Sequence, residues 1–330
     1  MEVVKYDELR KILIEEVQNY NGQSLIRLNI DKEVIEQIFF IPKIETYIED
    51  GRAHKEIRGR VFAPNIPMDI LEKIDFSNFS FEDFNTNGFD FSKLQNVNIN
   101  PQTLYEKSLY NCVCQGVTFV GNFDEVSVQY VCFEGSKGAI INPQTIRNKD
   151  LSYNDCADVE FVGDFDDVYV KGTNFTGSKG VIINPQKLKK KSLWETVCFG
   201  VKFVGPFDGV IVRKTNFKGS EGAIINPQTV LWKTLFRTIC TDVEFIGSFD
   251  DVAVDYTNFT GSKGTKINPQ KVRNKSLIGA ICSDVEFIAP LDGVNTEGAF
   301  LENAKFYIPL FESKDNFRAK IKSLIDVSKC

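Results

Sequence analysis

Large apolar residues or cysteine fall at Ile183, Leu188, Leu193, Cys198 and Phe203, five apart. Phe207, Val212 and Phe217 continue the series, and Ile225 follows after a longer gap. The steps are 5, 5, 5, 5, 4, 5, 5 and 8, and the whole pattern recurs every 42 residues. A helix calls for a step of 3.6 and a strand for a step of 2, so neither accounts for five. A chain that turns a corner every five residues does, with one large residue pointing inward on each side. Four sides make a coil of about 20 residues, so one period is two coils. Asn-Pro-Gln opens each period, at Asn100, Asn142, Asn184, Asn226 and Asn268. An array of this kind buries its apolar faces only against neighbouring units. The step of 8 holds Gly219-Ser220-Glu221-Gly222, a composition suited to a protruding turn.

Thr173-Asn174-Phe175-Thr176-Gly177, Thr215-Asn216-Phe217-Lys218-Gly219, Thr257-Asn258-Phe259-Thr260-Gly261 and Ser77-Asn78-Phe79-Ser80-Phe81 share one form. A small residue precedes Asn, then Phe, then two freer positions. This resembles the pentapeptide-repeat family over roughly two-thirds of the chain, from Phe79 to Leu291. The resemblance implies a mainly β fold, a right-handed quadrilateral parallel β-helix of about ten coils. Here it takes an atypical 42-residue double-coil form. The domains read as 1–73, a small α-rich N-terminal domain and cap; 74–296, the solenoid; and 297–330, a C-terminal cap with a helix at about 313–327.

The expected N-terminal helices run from Tyr6 to Tyr20, with Leu9, Ile12, Leu13 and Val17 on one face, and from Asp31 to Phe40 before Pro42. Ile44 to Phe62 is charged and ambiguous, and Met68 to Lys73 suits a helical turn entering the first coil. The caps matter because an open sheet edge templates aggregation.

Composition refines this picture. The chain has 28 phenylalanines, most on the five-step positions, so stacked phenylalanine ladders are expected in the core. Net charge is -6 with both signs mixed. That is no basic footprint, so direct nucleic-acid binding is not expected. No stretch approaches 18 apolar residues and no signal peptide is visible, so no membrane association is expected and the cytoplasm is the expected compartment.

Cys114, Cys156, Cys198, Cys240 and Cys282 share one position of the repeat. Equivalent positions lie two coils, about 9.6 Å, apart, beyond the reach of a disulfide or a shared metal. These residues read as small buried hydrophobes. No zinc spacing, P-loop, dinucleotide fingerprint or nucleophile elbow is present, and neither catalysis nor a cofactor is expected. The single histidine, His54, lies outside the repeats.

Two polar positions recur. Asp124, Asp166, Asp208, Asp250 and Asp292 follow the short step and should point outward as an acidic stripe. Corner chemistry explains such a stripe more simply than phosphate mimicry, because Asp satisfies backbone N–H groups in turns. Lys107, Lys149, Lys191, Lys233 and Lys275 stand where the resembled family usually places a small inward residue. A buried unpaired ammonium is very costly. Either those sides bulge outward or the lysine heads emerge at a corner. Lys137, Lys179, Glu221 and Lys263 hold the third position of the glycine-flanked turns, a row suited to contacting a partner.

The expected function is a non-enzymatic binding scaffold for a protein partner. The resemblance implies a second reading: a DNA mimic that binds DNA gyrase or topoisomerase IV, a homodimer joined through its C-terminal helix.

Overall fold

The structure, a computed structural model, describes residues 40–49, 52–62, 68–72, 76–77 and 79–306. The expected helices at 6–20 and 313–327, and that at 31–40 except for Phe40, lie outside the described residues. The chain forms two compact units, residues 1–163 and 164–330. Described residues are mainly strand, turn and coil. The longest α-helix among them has four residues, and no helix among them is long and apolar enough to cross a membrane.

The first unit begins with strands β1 (Phe40–Glu49) and β2 (Arg52–Phe62), paired antiparallel with a register shift between Pro42 and Ile44. The expected second helix ends at Phe40, and the structure has Phe40 in a strand instead; Pro42 is carried at the irregularity, where a missing N–H is tolerated. The helical turn at Met68 is present as α1 (Met68–Leu71). The hairpin meets the repeats through backbone and rings. Arg60 N–H donates to Asp83 O at 2.7 Å and Asn85 N–H to Arg60 O at 2.7 Å. Phe40 packs against Phe79, Phe81 and Phe84, with centroids 5.5–6.2 Å apart. A β-hairpin thus packs on the first pass of repeat chain.

Two-residue strands then pair in parallel with the pass that follows. In the first unit β3 (Asn98–Ile99) pairs with β4 (Thr118–Phe119), and β5 (Ile140–Ile141) with β6 (Glu160–Phe161). In the second unit β7 (Ile182–Ile183) pairs with β8 (Lys202–Phe203), β9 (Ile224–Ile225) with β10 (Glu244–Phe245), and β11 (Lys266–Ile267) with β12 (Glu286–Phe287). β12 also pairs with β13 (Lys305–Phe306). Single bridges complete the ladders: Asn174 pairs with Val197 and Val197 with Asn216, spacings of 23 and 19 residues that together make the period.

The step of 8 is therefore not a protruding turn. Lys202 pairs with Glu221 and Glu244 with Lys263, so the third residue of the glycine-flanked segment lies in the ladder, while Ser220 beside it is buried. Gly222 at φ +71° sits where a Cβ would lie 2.5 Å from Phe203 O.

Core positions follow the five-step series. Leu193, Cys198, Val212, Phe217 and Ile225 are fully buried. Phenylalanines meet in tilted triads rather than one stacked ladder: Phe203, Phe207 and Phe217 have centroids 5.2–5.8 Å apart, and Phe245, Phe249 and Phe259 repeat the arrangement at 5.1–5.8 Å. Edge-to-face contact suits the ring quadrupole better than a face-to-face stack. The buried Thr196 and Thr215 hydroxyls are satisfied by backbone: Thr196 donates to Val170 O at 2.9 Å and Thr215 to Leu193 O at 2.6 Å.

Candidate functional site

The repeated polar positions turn out to be corner chemistry in part. Asn184 Oδ1 accepts from Gln186 N–H at 3.1 Å, and Asn100, Asn142, Asn226 and Asn268 make the same turn at 3.0 Å. Gln186 Nε2 donates to Asp208 O at 2.7 Å, and Gln102 and Gln270 repeat the contact on Asp124 O and Asp292 O. The five aspartate side chains point outward as expected: Asp124, Asp208 and Asp292 are exposed, and Asp166 and Asp250 are half-buried. Lysines answer two of them, with Lys187 Nζ 2.8 Å from Asp166 Oδ2 and Lys271 Nζ 3.2 Å from Asp250 Oδ2. Where Lys187 and Lys271 stand, the chain has Thr145 and Thr229 one period away in each case.

Lys107, Lys149, Lys191, Lys233 and Lys275 turn outward. Each has φ between +42° and +48° and follows another left-handed residue, Glu106, Asn148, Lys190, Trp232 or Asn274. Two consecutive left-handed residues carry the chain around the corner, and the inward side chain that follows is Leu109, Leu151, Leu193, Leu235 or Leu277, each fully buried. Lys137, Lys179, Glu221 and Lys263 are all exposed and stand on separate passes.

A set of residues that the period does not dictate lies elsewhere, on one corner. In the second unit, Gly172 N–H donates to Trp194 O, Glu195 N–H to Arg213 O, Lys214 N–H to Phe236 O, Arg237 N–H to Asp255 O and Tyr256 N–H to Ile278 O. These bonds place the same corner of successive passes side by side. Glu195, Lys214, Arg237 and Tyr256 occupy it with φ of +57° to +64°. Their side chains and neighbours interleave cations with rings. Lys171 Nζ lies 4.5 Å from the Trp194 ring centroid, and Arg213 lies 5.9 Å from Trp194 and 5.3 Å from Phe236. Arg237 lies 5.2 Å from Phe236 and 5.6 Å from Tyr256. Each contact is within cation–π range. Lys214 Nζ donates to Glu195 Oε1 at 2.6 Å, and this bond holds the Glu195 carboxyl below its ordinary value against a smaller opposing effect of burial. Tyr256 is 49% exposed.

The corresponding corner of the first unit carries Tyr110, Tyr130 and Tyr153, all exposed, with centroids 5.6 Å and 5.0 Å apart. A sequence signal for this corner exists. One position reads Tyr110, Ser152, Trp194, Phe236 and Ile278 across the periods, and another reads Gln129, Lys171, Arg213, Asp255 and Glu297, while the core positions between them barely change. Attention to what repeats passes over what does not. The chain matches no protein-family model, no curated protein and no solved structure.

Proposed function

We propose that each unit is a solenoid of the pentapeptide-repeat type, a right-handed quadrilateral β-helix, and that the protein is a non-enzymatic cytoplasmic scaffold. Its cation–aromatic corner holds a protein partner. The parallel pairing of passes about 20 residues apart and the five-step core support the fold reading. The single observation that carries the function is the corner running from Lys171 through Trp194, Arg213, Phe236 and Arg237 to Tyr256. Trp, Tyr and Arg are the residues that dominate binding energy at protein interfaces. Their rings and guanidinium groups are already held against one another, so little side-chain freedom is lost when a partner covers them. An overall charge of -6 speaks for a protein rather than a nucleic acid as that partner.

The test is affinity capture with three forms of the full chain: unaltered, Arg213→Ala/Arg237→Ala, and one with the five stripe aspartates changed to asparagine. A protein held by the first and third forms and lost by the second supports the corner as the binding face. Equal capture by all three overturns it. A protein lost only by the third form would support the second reading instead, mimicry of DNA toward a type II topoisomerase.

A further inference from the structure

Among the described residues of the first unit, a thiol and two carboxylates converge at one place. Cys132 Sγ, a Glu134 carboxylate oxygen and an Asp155 carboxylate oxygen all lie within 4.8 Å of one another. The backbone fixes two of these residues as ladder partners, Cys132 opposite Asp155. Asp155 N–H donates to Val131 O at 2.9 Å, and Phe133 N–H donates to Asp155 O at 2.8 Å. Glu134 follows Cys132 by two, so both project from the same face of the extended chain. Cys132 and Asp155 are half-buried and Glu134 is exposed. Cys132 thus differs from the cysteines of the core series, among which Cys114, Cys156, Cys198, Cys240 and Cys282 are fully buried.

The period itself shows that packing does not require this trio. The position of Cys132 is Asn174, Asn216 and Asn258 in the three following periods. The position of Asp155 is Val113, Val197, Ile239 and Ile281, and that of Glu134 is Thr176, Lys218 and Thr260. At the other described bridges of this ladder in the second unit, Asn174 faces Val197, Asn216 faces Ile239 and Asn258 faces Ile281. Three independent departures from the repeat therefore meet at one point in space, and together they supply a thiol and two carboxylates. Repetition explains a uniform stripe, and it does not explain a coincident break.

We propose that Cys132, Glu134 and Asp155 bind a divalent metal ion of the zinc class. One thiolate with two carboxylates is a mixed soft and hard donor set suited to a borderline ion. Three protein ligands leave a fourth tetrahedral position open to water or to a partner's side chain. Ligand bonds of about 2.0–2.3 Å require the donor atoms to close by roughly an ångström, which the exposed Glu134 side chain can supply by rotation. Binding displaces the thiol proton to solvent and forms a metal–sulfur bond, with no change of oxidation state. Burial pushes the Cys132 thiol above its ordinary value against a smaller lowering by a backbone hydrogen bond at Glu134, and the charges of Asp155, Glu134 and Asp90 add to the rise. A bound cation reverses the effect of those charges.

The test is a titration of the reduced full chain with cobalt(II). The expected result is a stoichiometric thiolate-to-cobalt charge-transfer absorption that zinc(II) displaces. Cys132→Asn and Asp155→Val install the residues that other periods use at these positions, so both should fold, as circular dichroism would verify. Cys132→Asn is expected to lose the absorption, and Asp155→Val to weaken cobalt binding by about tenfold or more. Cys330→Ser should leave the absorption intact. The proposal is overturned if cobalt gives no charge-transfer band, if the band survives Cys132→Asn, or if it disappears with Cys330→Ser.

Discussion

Lys187 reaches across to Asp166, with its ammonium 2.8 Å from the carboxylate, and Lys271 meets Asp250 in the same way at 3.2 Å. The pairing sets lysine charges among the aspartates of the stripe in the second unit. A phosphate backbone alternates with nothing of the kind, since every phosphate carries its charge. Purified protein is therefore expected to leave DNA supercoiling by gyrase unchanged, with or without a quinolone. Inhibition or protection that vanishes when the five aspartates become asparagine would reverse this expectation and establish mimicry.

Gly205 and Gly209 separate two costs that are usually mixed. Gly205 has φ +110°, and a Cβ there would lie 3.0 Å from Asn184 Oδ1 and 3.1 Å from its Nδ2. Gly209 has φ +69° and nothing within 4 Å of the same hypothetical atom. Gly209→Ala is expected to cost about 1 kcal/mol, the strain of a left-handed alanine. Gly205→Ala adds the clash with the Asn184 side chain and should cost about 2–3 kcal/mol. Urea unfolding of the two variants measures the difference. The last period supports the argument: Ala289 replaces the glycine, and it is not among the residues of positive φ.

The core was legible because a five-residue step has few structural explanations. Leu193, Cys198 and Phe217 are buried where the spacing put them. The outward direction of Lys191 was not legible. It depends on two consecutive left-handed residues, and Lys190 and Lys191 are not residue types that advertise positive φ. The hairpin at Phe40 to Phe62 was missed for another reason. Its Ile44 and Ile57 are exposed, so no buried face imposed an alternation to read. The corner around Trp194 and Arg213 escaped because a repeat-centred reading weighs what recurs, whereas a binding face is carried by positions free to vary.

Native thiols should fall into two groups toward a water-soluble disulfide reagent. Among the described cysteines, Cys132 is half-buried and should react, whereas Cys112, Cys114, Cys156, Cys198, Cys240 and Cys282 should stay protected until unfolding. Burial pushes the Cys112 thiol up to about 11 and that of Cys282 up to about 12, from an ordinary 9.0. Their folded values are raised, so the stability they contribute is complete below pH 9 and is lost as pH rises toward 11 and 12. Unfolding midpoints should therefore fall in that alkaline window, and Cys282→Ala should reduce the fall. A flat profile through it would contradict the burial of these thiols.

The bond from Lys214 to Glu195 makes a prediction at the acid end. Its folded carboxyl value is lowered from 4.5, so the contribution is present above that value and fades as pH falls through the lower folded one. Both side chains are about a third exposed, which limits the pair to a few tenths of a kcal/mol. Glu195→Gln should accordingly leave stability at neutral pH almost unchanged. Its larger effect should be on the corner, where Lys214 is freed. In the capture experiment this variant should retain the partner that Arg213→Ala/Arg237→Ala loses.

Phe40 should be the anchor of the N-terminal hairpin. It is 4% exposed, packs on Phe62, Phe79, Phe81 and Phe84, and lies beneath the Arg60 guanidinium at 5.2 Å. Arg60 in turn donates from Nε to Glu82 O at 2.9 Å, and its backbone pairs with Asp83 and Asn85. Phe40→Ala removes the ring and should cost about 3–5 kcal/mol of local stability. The passes beyond it bury their own phenylalanines, so they should remain folded when the hairpin leaves. Hydrogen exchange should then show fast amides at Arg60 and Asn85 and slow ones at Asp83, Val113 and Cys114. The uncovered edge of the first pass presents unpaired backbone groups, and light scattering should report association rising with concentration. Uniform loss of protection through the first unit would instead mean that the hairpin is required for the repeats to fold.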